Sequence, residues 1–324
     1  LLRSYGAGLP LSVYRNYSQE MAALVQARLE GQAYDAVFVD HWLMAQYLPA
    51  GFQGLSLLHQ HNAEHLIWQR QAALEMIPWR KLLLTLEGRR LRRYEATALP
   101  RLSWLFAVSE RERQAIVDLG APPQRVLLLP NLPDPRLLEQ PPLKFGELPP
   151  HVLYVGTLSW QPNSQGLRSF LDESYPMLRR EMPEVGLIVA GAEPPPWLQR
   201  LAKREDGLEL VTPVEDAEPL YRRSRVFLET VRGGGGTKVK VLNALARGLP
   251  VVATPDGVDG IEAKADEHLL VAADAPSLVA AIRRLLEEER LWQRLSENGR
   301  ALIAERYRPE VAYRPLERVL SGAA

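Results

Sequence analysis

Arg232–Gly260, RGGGGTKVKVLNALARGLPVVATPDGVDG, is the stretch on which the reading of this chain turns. Four consecutive glycines, Gly233 to Gly236, run through Thr237 into a helical pattern carrying Lys238 and Lys240 near its start. A backbone without Cβ atoms lets N–H groups approach a ligand closely. A helix N-terminus adds unpaired N–H donors and a partial positive charge. With two lysines beside them, these features describe an anion site suited to a diphosphate. The plainer reading is a flexible surface loop before an amphipathic helix. A short apolar strand follows, PVVAT, and then a second loop with Asp256, Gly257, Asp259 and Gly260. An acidic side chain and glycines at a strand end suit hydrogen bonds to sugar hydroxyls, although Asp-Gly pairs also form turns.

Working outward, short apolar runs alternate with helical patterns along the whole chain. The strand-like runs are Asp35–Val39, Leu55–His59, Leu105–Val108, Val126–Leu129, Val152–Val155, Gly186–Ala190, Leu208–Val211, Val226–Leu228, Pro250–Ala253 and His268–Val271. Strands buried on both faces read this way. The helical patterns between them include Ser18–Glu30, Ile67–Leu99, Glu110–Leu119, Gly166–Glu181, Lys238–Arg247 and Pro276–Glu288. The alternation predicts an α/β fold of two doubly wound, Rossmann-like parallel-sheet domains facing each other across a cleft. Asn131–Pro150 holds six prolines and reads as the interdomain linker. The predicted domains are 1–137 and 138–304, with 305–324 as a helix returning to the first domain. The chain opens LLRSYGAGLPLSVYRNY, without Met, and the first strand of domain one is expected to be missing.

Bulk properties exclude several classes. The 324 residues contain no cysteine, which removes disulfides, thiolate metal sites and a cysteine nucleophile. Lys+Arg and Asp+Glu both number 39, so there is no overall electrostatic drive toward nucleic acid. No apolar run approaches the about 18 residues needed to span a bilayer. The six histidines show no metal-ligand spacing such as HxxxH, and no metal is expected.

Other motifs sit at strand ends. Gly156 follows Val152–Val155 and opens GTLSWQPN, where Asn163 reads as a helix cap. In the first half, LSLLH runs into Gln60, His61, Asn62, Ala63 and Glu64. His61 is the candidate proton shuttle or hydrogen-bond donor, with Asn62 and Glu64 as candidate sugar contacts. A histidine beside a carboxylate is also a common helix cap. Asp40, His41 and Trp42 end the preceding strand and are candidates for the same cleft. Ser109 with Glu112 reads as a capping box. Pro78–Arg93, PWRKLLLTLEGRRLRR, is apolar and basic. It reads first as a solvated face whose apolar residues meet the core, and alternatively as a membrane-surface face.

GTLSWQPN, RGGGGTKVKVLNALARGLPVVATPDGVDGI, HNAE and FAVSE together resemble the group-1 (family 4) retaining glycosyltransferases of bacterial polysaccharide assembly. The resemblance implies the GT-B fold and transfer of a sugar from a nucleotide-diphosphate sugar to a glycan or lipid-linked acceptor. It implies retention of anomeric configuration, no metal and no cofactor beyond the donor. The family loop R-x-G-x-G-x-x-x-K maps onto Arg232, Gly234, Gly236 and Lys240. On this mapping Gly156, Arg232, Gly234, Gly235, Gly236, Thr237, Lys238, Lys240 and Asn243 bind the donor. His61 and Lys240 are the catalytic candidates, and Asp256 and Gly257 are further sugar contacts. The implied setting is cytoplasmic, with peripheral membrane contact through Pro78–Arg93 and no nucleic acid partner. Many members carry glutamates where this chain has Gly235 and Asn243. That departure keeps a second reading open, a catalytically degenerate subunit that binds a nucleotide sugar or a partner. A sugar-nucleotide epimerase is a more distant third.

Overall fold

The computed structural model describes residues 2–32, 34–49, 51–232 and 237–322. By its contacts the chain divides into two compact units. The first comprises Leu1–Pro130, Gly235–Thr237 and Tyr313–Ala324, and the second Asn131–Gly234 and Lys238–Ala312.

The second unit carries β5 (His151–Val155), β6 (Gly186–Ala190), β7 (Leu208–Val211), β8 (Val226–Glu229), β9 (Val251–Ala253) and β10 (Leu270–Val271). All pairings are parallel, and the order is β10-β9-β8-β5-β6-β7. Chain order therefore reverses between β5 and β8, which makes their C-terminal ends a topological switch point. β6 and β9 are buried throughout, and β5 nearly so, because both faces of the sheet are covered there. Val152, Tyr154, Leu187 and Val189 pack with Leu167, Phe170 and Leu178, while Leu153, Ile188 and Phe227 pack with Val241, Leu242 and Leu245. The helix Val239–Arg247 ends at Gly248, whose φ of 77° closes a left-handed cap.

The first unit carries β1 (Ala36–Val39), β2 (Leu55–Gln60), β3 (Trp104–Ala107) and β4 (Val126–Leu128). They form a parallel sheet in plain sequence order. Leu58, Leu105, Ala107 and Val126 face one side of it. Leu57, Phe106 and Leu129 face the other, where they meet Val319 of the Arg314–Leu320 helix.

Several expectations are corrected. Ile67–Leu99 is two helices, Glu64–Leu74 and Pro78–Ala98, because the residue before a proline is pushed out of the α region. Glu289–Arg306, an 18-residue helix, was not anticipated. Asn131–Pro150 is no free linker: Leu137 and Leu148 are buried in the second unit's core, and Pro135–Glu139 is helical. Of residues 305–324, only Tyr313 onward joins the first unit. Trp79, Leu82, Leu83 and Leu86, expected to meet the core, are exposed.

Candidate functional site

Around the switch point of the second unit, three elements converge on Lys240. Its ammonium lies 2.9 Å from the Glu229 carboxylate at the end of β8 and donates to Asn163 Oδ1 at 2.9 Å. It also sits 4.8 Å from the centroid of the Tyr154 ring of β5. Glu229 is fully buried, and its other oxygen accepts the Val231 N–H at 2.8 Å. Burial, aided by the Glu229 carboxylate, pushes the Tyr154 phenol well above its usual range. Gly156 is where the close approach happens. A Cβ there would stand 3.0 Å from Asn163 Nδ2 and 3.3 Å from Lys240 Nζ. Asn163 is therefore no cap: it lies inside the Gln161–Ser169 helix, donating to the Thr157 carbonyl and accepting from Lys240.

The loop after β9 belongs to the same cluster. Thr254 donates to the Val231 carbonyl at 2.6 Å and accepts from Gly257 N–H. Gly257 is packed so closely that a Cβ would come within 2.5 Å of Glu229 Cγ. Asp256 is half-buried beside it. Lys238 is buried at the cap position of the Val239–Arg247 helix, and Arg232 is exposed. Gly234, Gly235 and Gly236 lie outside the described residues. Thr237 is counted with the first unit, its hydroxyl donating to the Val108 carbonyl at 3.3 Å, which departs from a boundary that placed 138–304 together. Asn243 Oδ1 accepts the backbone N–H of Asp134 at 2.8 Å, so part of its hydrogen-bonding capacity ties down the segment after residue 130.

In the first unit, the loop after β2 is fixed by buried carboxylates from two helices. Glu95, fully buried, accepts the N–H groups of Glu64 and His65 at 3.2 Å each and meets His65 Nδ1 at 2.6 Å. Glu112 accepts the Ala63 N–H, and Ser109 caps its helix by accepting the Glu112 N–H. Gln60 donates to the Asn62 carbonyl at 2.6 Å. Burial raises the Glu64 carboxyl, and the nearby Glu95 adds to the effect. His61 donates through Nε2 to the Asp40 carbonyl at 2.7 Å, and its ring centroid lies 4.3 Å from that of His59. His41 accepts from Leu43 N–H instead, capping its own turn. A cavity of about 500 Å³ lined by Ser56, Tyr94 and Arg101 lies toward the start of β2, the end opposite His61.

Sequence reading missed Glu229, Glu95 and His59, and it set Asp40 and His61 at one cleft without joining them through His59 into the Asp40–His59–His61 grouping. A lone acid closing an apolar strand, VFLE, was the available signal for the first. The grouping leaves no spacing signature, because His59 and His61 share a strand end while Asp40 comes from its neighbour.

Comparison with known proteins follows the same division. Residues 149–288 match the family described as glycosyl transferases group 1. A Klebsiella pneumoniae protein described as an uncharacterized 44.6 kDa protein in the cps region is 28% identical over 176 residues, 51% of this chain and 45% of that one. The chain thus spans about half the length of this curated relative. Among solved structures, sucrose-phosphate synthase from Thermosynechococcus elongatus superposes with a TM-score of 0.70 at 19% identity, covering 94% of this chain and 78% of that one. Anabaena HepE, solved with UDP and glucose, gives 0.69 at 16%, covering 93% and 80%. These likenesses establish the α/β fold of the GT-B glycosyltransferases.

Proposed function

Since residues 149–288 match the family described as glycosyl transferases group 1, we propose that this protein transfers a sugar from a nucleotide-diphosphate sugar to a glycan or lipid-linked acceptor, with retention, in polysaccharide assembly. The observation that carries this reading is Lys240, held by Glu229 and Asn163 beside Gly156 at the switch point of the second unit's sheet. A fixed cation there neutralises the diphosphate as the glycosidic bond to phosphate breaks. Lys238, Arg232, Thr237 and Gly234 to Gly236 complete the diphosphate site. Asn243, Asp256 and Gly257 serve the donor's hydroxyls. His61 orients the reacting sugar, with Asn62 and Glu64 as further contacts. Transfer needs no metal, since lysine and N–H donors supply the positive charge. UDP-sugars are the first donors to try, because HepE was solved with UDP and glucose.

The test is a thermal-shift panel of UDP-, GDP-, ADP- and TDP-sugars without metal. Binding to the native state alone raises Tm. A shift with one nucleotide family, lost in the paired variant Lys240→Met with Glu229→Gln, supports the donor site. No shift with any nucleotide overturns it. The commitment of Asn243 to Asp134 favours a second reading, donor binding without turnover. A nucleotide shift with no transfer to any acceptor selects it.

With this function we infer a cytoplasmic protein with peripheral contact at the inner face of the membrane. No helix among the described residues is long and apolar enough to cross one. Trp79 (60% exposed) and Leu82 (58%) instead form, with Leu83 and Leu86, an exposed apolar stripe on the Pro78–Ala98 helix, and Met76 (90%) is exposed just before it. The stripe continues as Arg89 and Arg93, with Arg80 and Lys81 exposed alongside. Apolar insertion flanked by cations fits an anionic bilayer. Cosedimentation with anionic but not zwitterionic vesicles, weakened by Trp79→Ala, supports it. Equal recovery with both, or with neither, overturns it.

A further inference from the structure

We propose that Asp40, His59 and His61 of the first unit form a binding site for a divalent transition-metal ion of the zinc class. His59 Nε2–H donates to the Leu129 carbonyl at 2.9 Å, which fixes the tautomer and leaves Nδ1 as a lone pair. That lone pair faces Asp40 Oδ1 at 3.2 Å. Two acceptors at this distance repel unless a proton or a metal cation lies between them. His61 Nε2 lies 3.4 Å from the same carboxylate oxygen. The ligand atoms of the three residues all lie within 4.8 Å of one another.

The spacing suits a metal. Bonds of about 2.0–2.1 Å in tetrahedral geometry put neighbouring ligand atoms about 3.4 Å apart. The two distances from Asp40 Oδ1, 3.2 and 3.4 Å, lie close to such an edge. The Leu129 carbonyl plays the part that outer hydrogen bonds play at zinc sites, holding the ring by its other nitrogen. His59 is buried, half-buried His61 sits beside it, and Asp40 is exposed, so an ion can enter from solvent and keep water as a further ligand. On binding, the His61 proton now directed at the Asp40 carbonyl passes to Nδ1, and Nε2 becomes the ligand. The metal would thereby engage the histidine assigned to the donor sugar. Transfer would then be inhibited by the ion. This last consequence rests on the role proposed for His61; the binding does not.

The experiment is titration of the metal-free full chain with Zn²⁺ against a chromophoric chelator, alongside Co²⁺ absorption. The expected result is one ion per chain, a four-coordinate Co²⁺ spectrum, and affinity at least tenfold weaker in His59→Ala and in Asp40→Asn. His268→Ala, in the other unit, should bind as the parent does. Absence of stoichiometric binding, or binding indifferent to both ligand variants, overturns the site. Should a variant fail to fold, the Co²⁺ spectrum of the parent chain decides, since an octahedral aquo spectrum refutes the ligand set. With binding established, added Zn²⁺ should inhibit the parent and inhibit His59→Ala less, each against its own metal-free rate. Binding without inhibition would remove the His61 assignment and leave the metal site standing.

Discussion

The two strand-end loops of this protein are stabilised by charges used in opposite ways. After β8, a buried carboxylate, Glu229, holds a lysine. After β2, buried carboxylates, Glu95 and Glu112, hold backbone N–H groups. A carboxylate bonded to backbone amides fixes a loop whether or not ligand is present. A carboxylate bonded to a lysine fixes a charge for which an anionic ligand competes. The sheets differ in the same sense. Strand order reverses in the second unit and opens a crevice, whereas the described strands of the first run in sequence. The second unit therefore has a place for a ligand dictated by topology, whereas in the first the loop after β2 is clamped into one shape.

Lys240→Ala should separate the two most strongly. The change strands Glu229 as an uncompensated buried charge. The expected loss is about 3–5 kcal/mol in denaturant unfolding, together with loss of nucleotide binding. Lys240→Met combined with Glu229→Gln should recover most of the stability and none of the binding. Unchanged stability in Lys240→Ala would mean that the ion pair contributes nothing to the fold. Glu95→Gln should cost about 2–3 kcal/mol, since charged acceptors of several N–H groups are lost. Hydrogen exchange should quicken at Glu64 and His65, while nucleotide shifts persist. Equal exchange in parent and variant would refute the clamp. Gly257→Ala should cost about 1–2 kcal/mol by overpacking against Glu229. It should also weaken nucleotide binding, and a neutral result would show that the β9 loop yields freely.

The smallest effect concerns Glu64. Burial, with the nearby Glu95 carboxylate, raises its folded pKa above the ordinary carboxylate value. The folded state therefore holds this proton more tightly than the unfolded chain does. Ionisation costs nothing below the unfolded pKa, and the cost grows as pH rises through the folded one. Glu64→Gln should then raise Tm slightly at pH 7 and leave it unchanged near pH 4. A gain independent of pH would assign the effect to packing instead.

Local signals explain what could be read in advance. Each of the ten described strands was anticipated near its place because strands packed into a covered sheet are short and largely apolar. The break at Glu75–Ile77 was legible in Pro78 but was read through, since the apolar period continues across it. Trp79, Leu82, Leu83 and Leu86 were assigned to the core because a helical stripe does not say whether anything covers it. Glu229 and Glu95 could not be placed, because their partners lie 11 and 30 residues away.

The sequence by itself determined the alternation of strands and helices, the glycine loop with its lysines, and the likeness to group 1 glycosyl transferases. These rest on periodicity, backbone freedom and short motifs, all local properties of the chain. Only the tertiary structure decided that Lys240 is paired with Glu229, that Asn243 ties down Asp134, and that Asp40 and His59 meet His61. Those facts depend on which strand ends become neighbours. Strand order and burial set that, because a buried charge must find whatever partner the fold brings within reach.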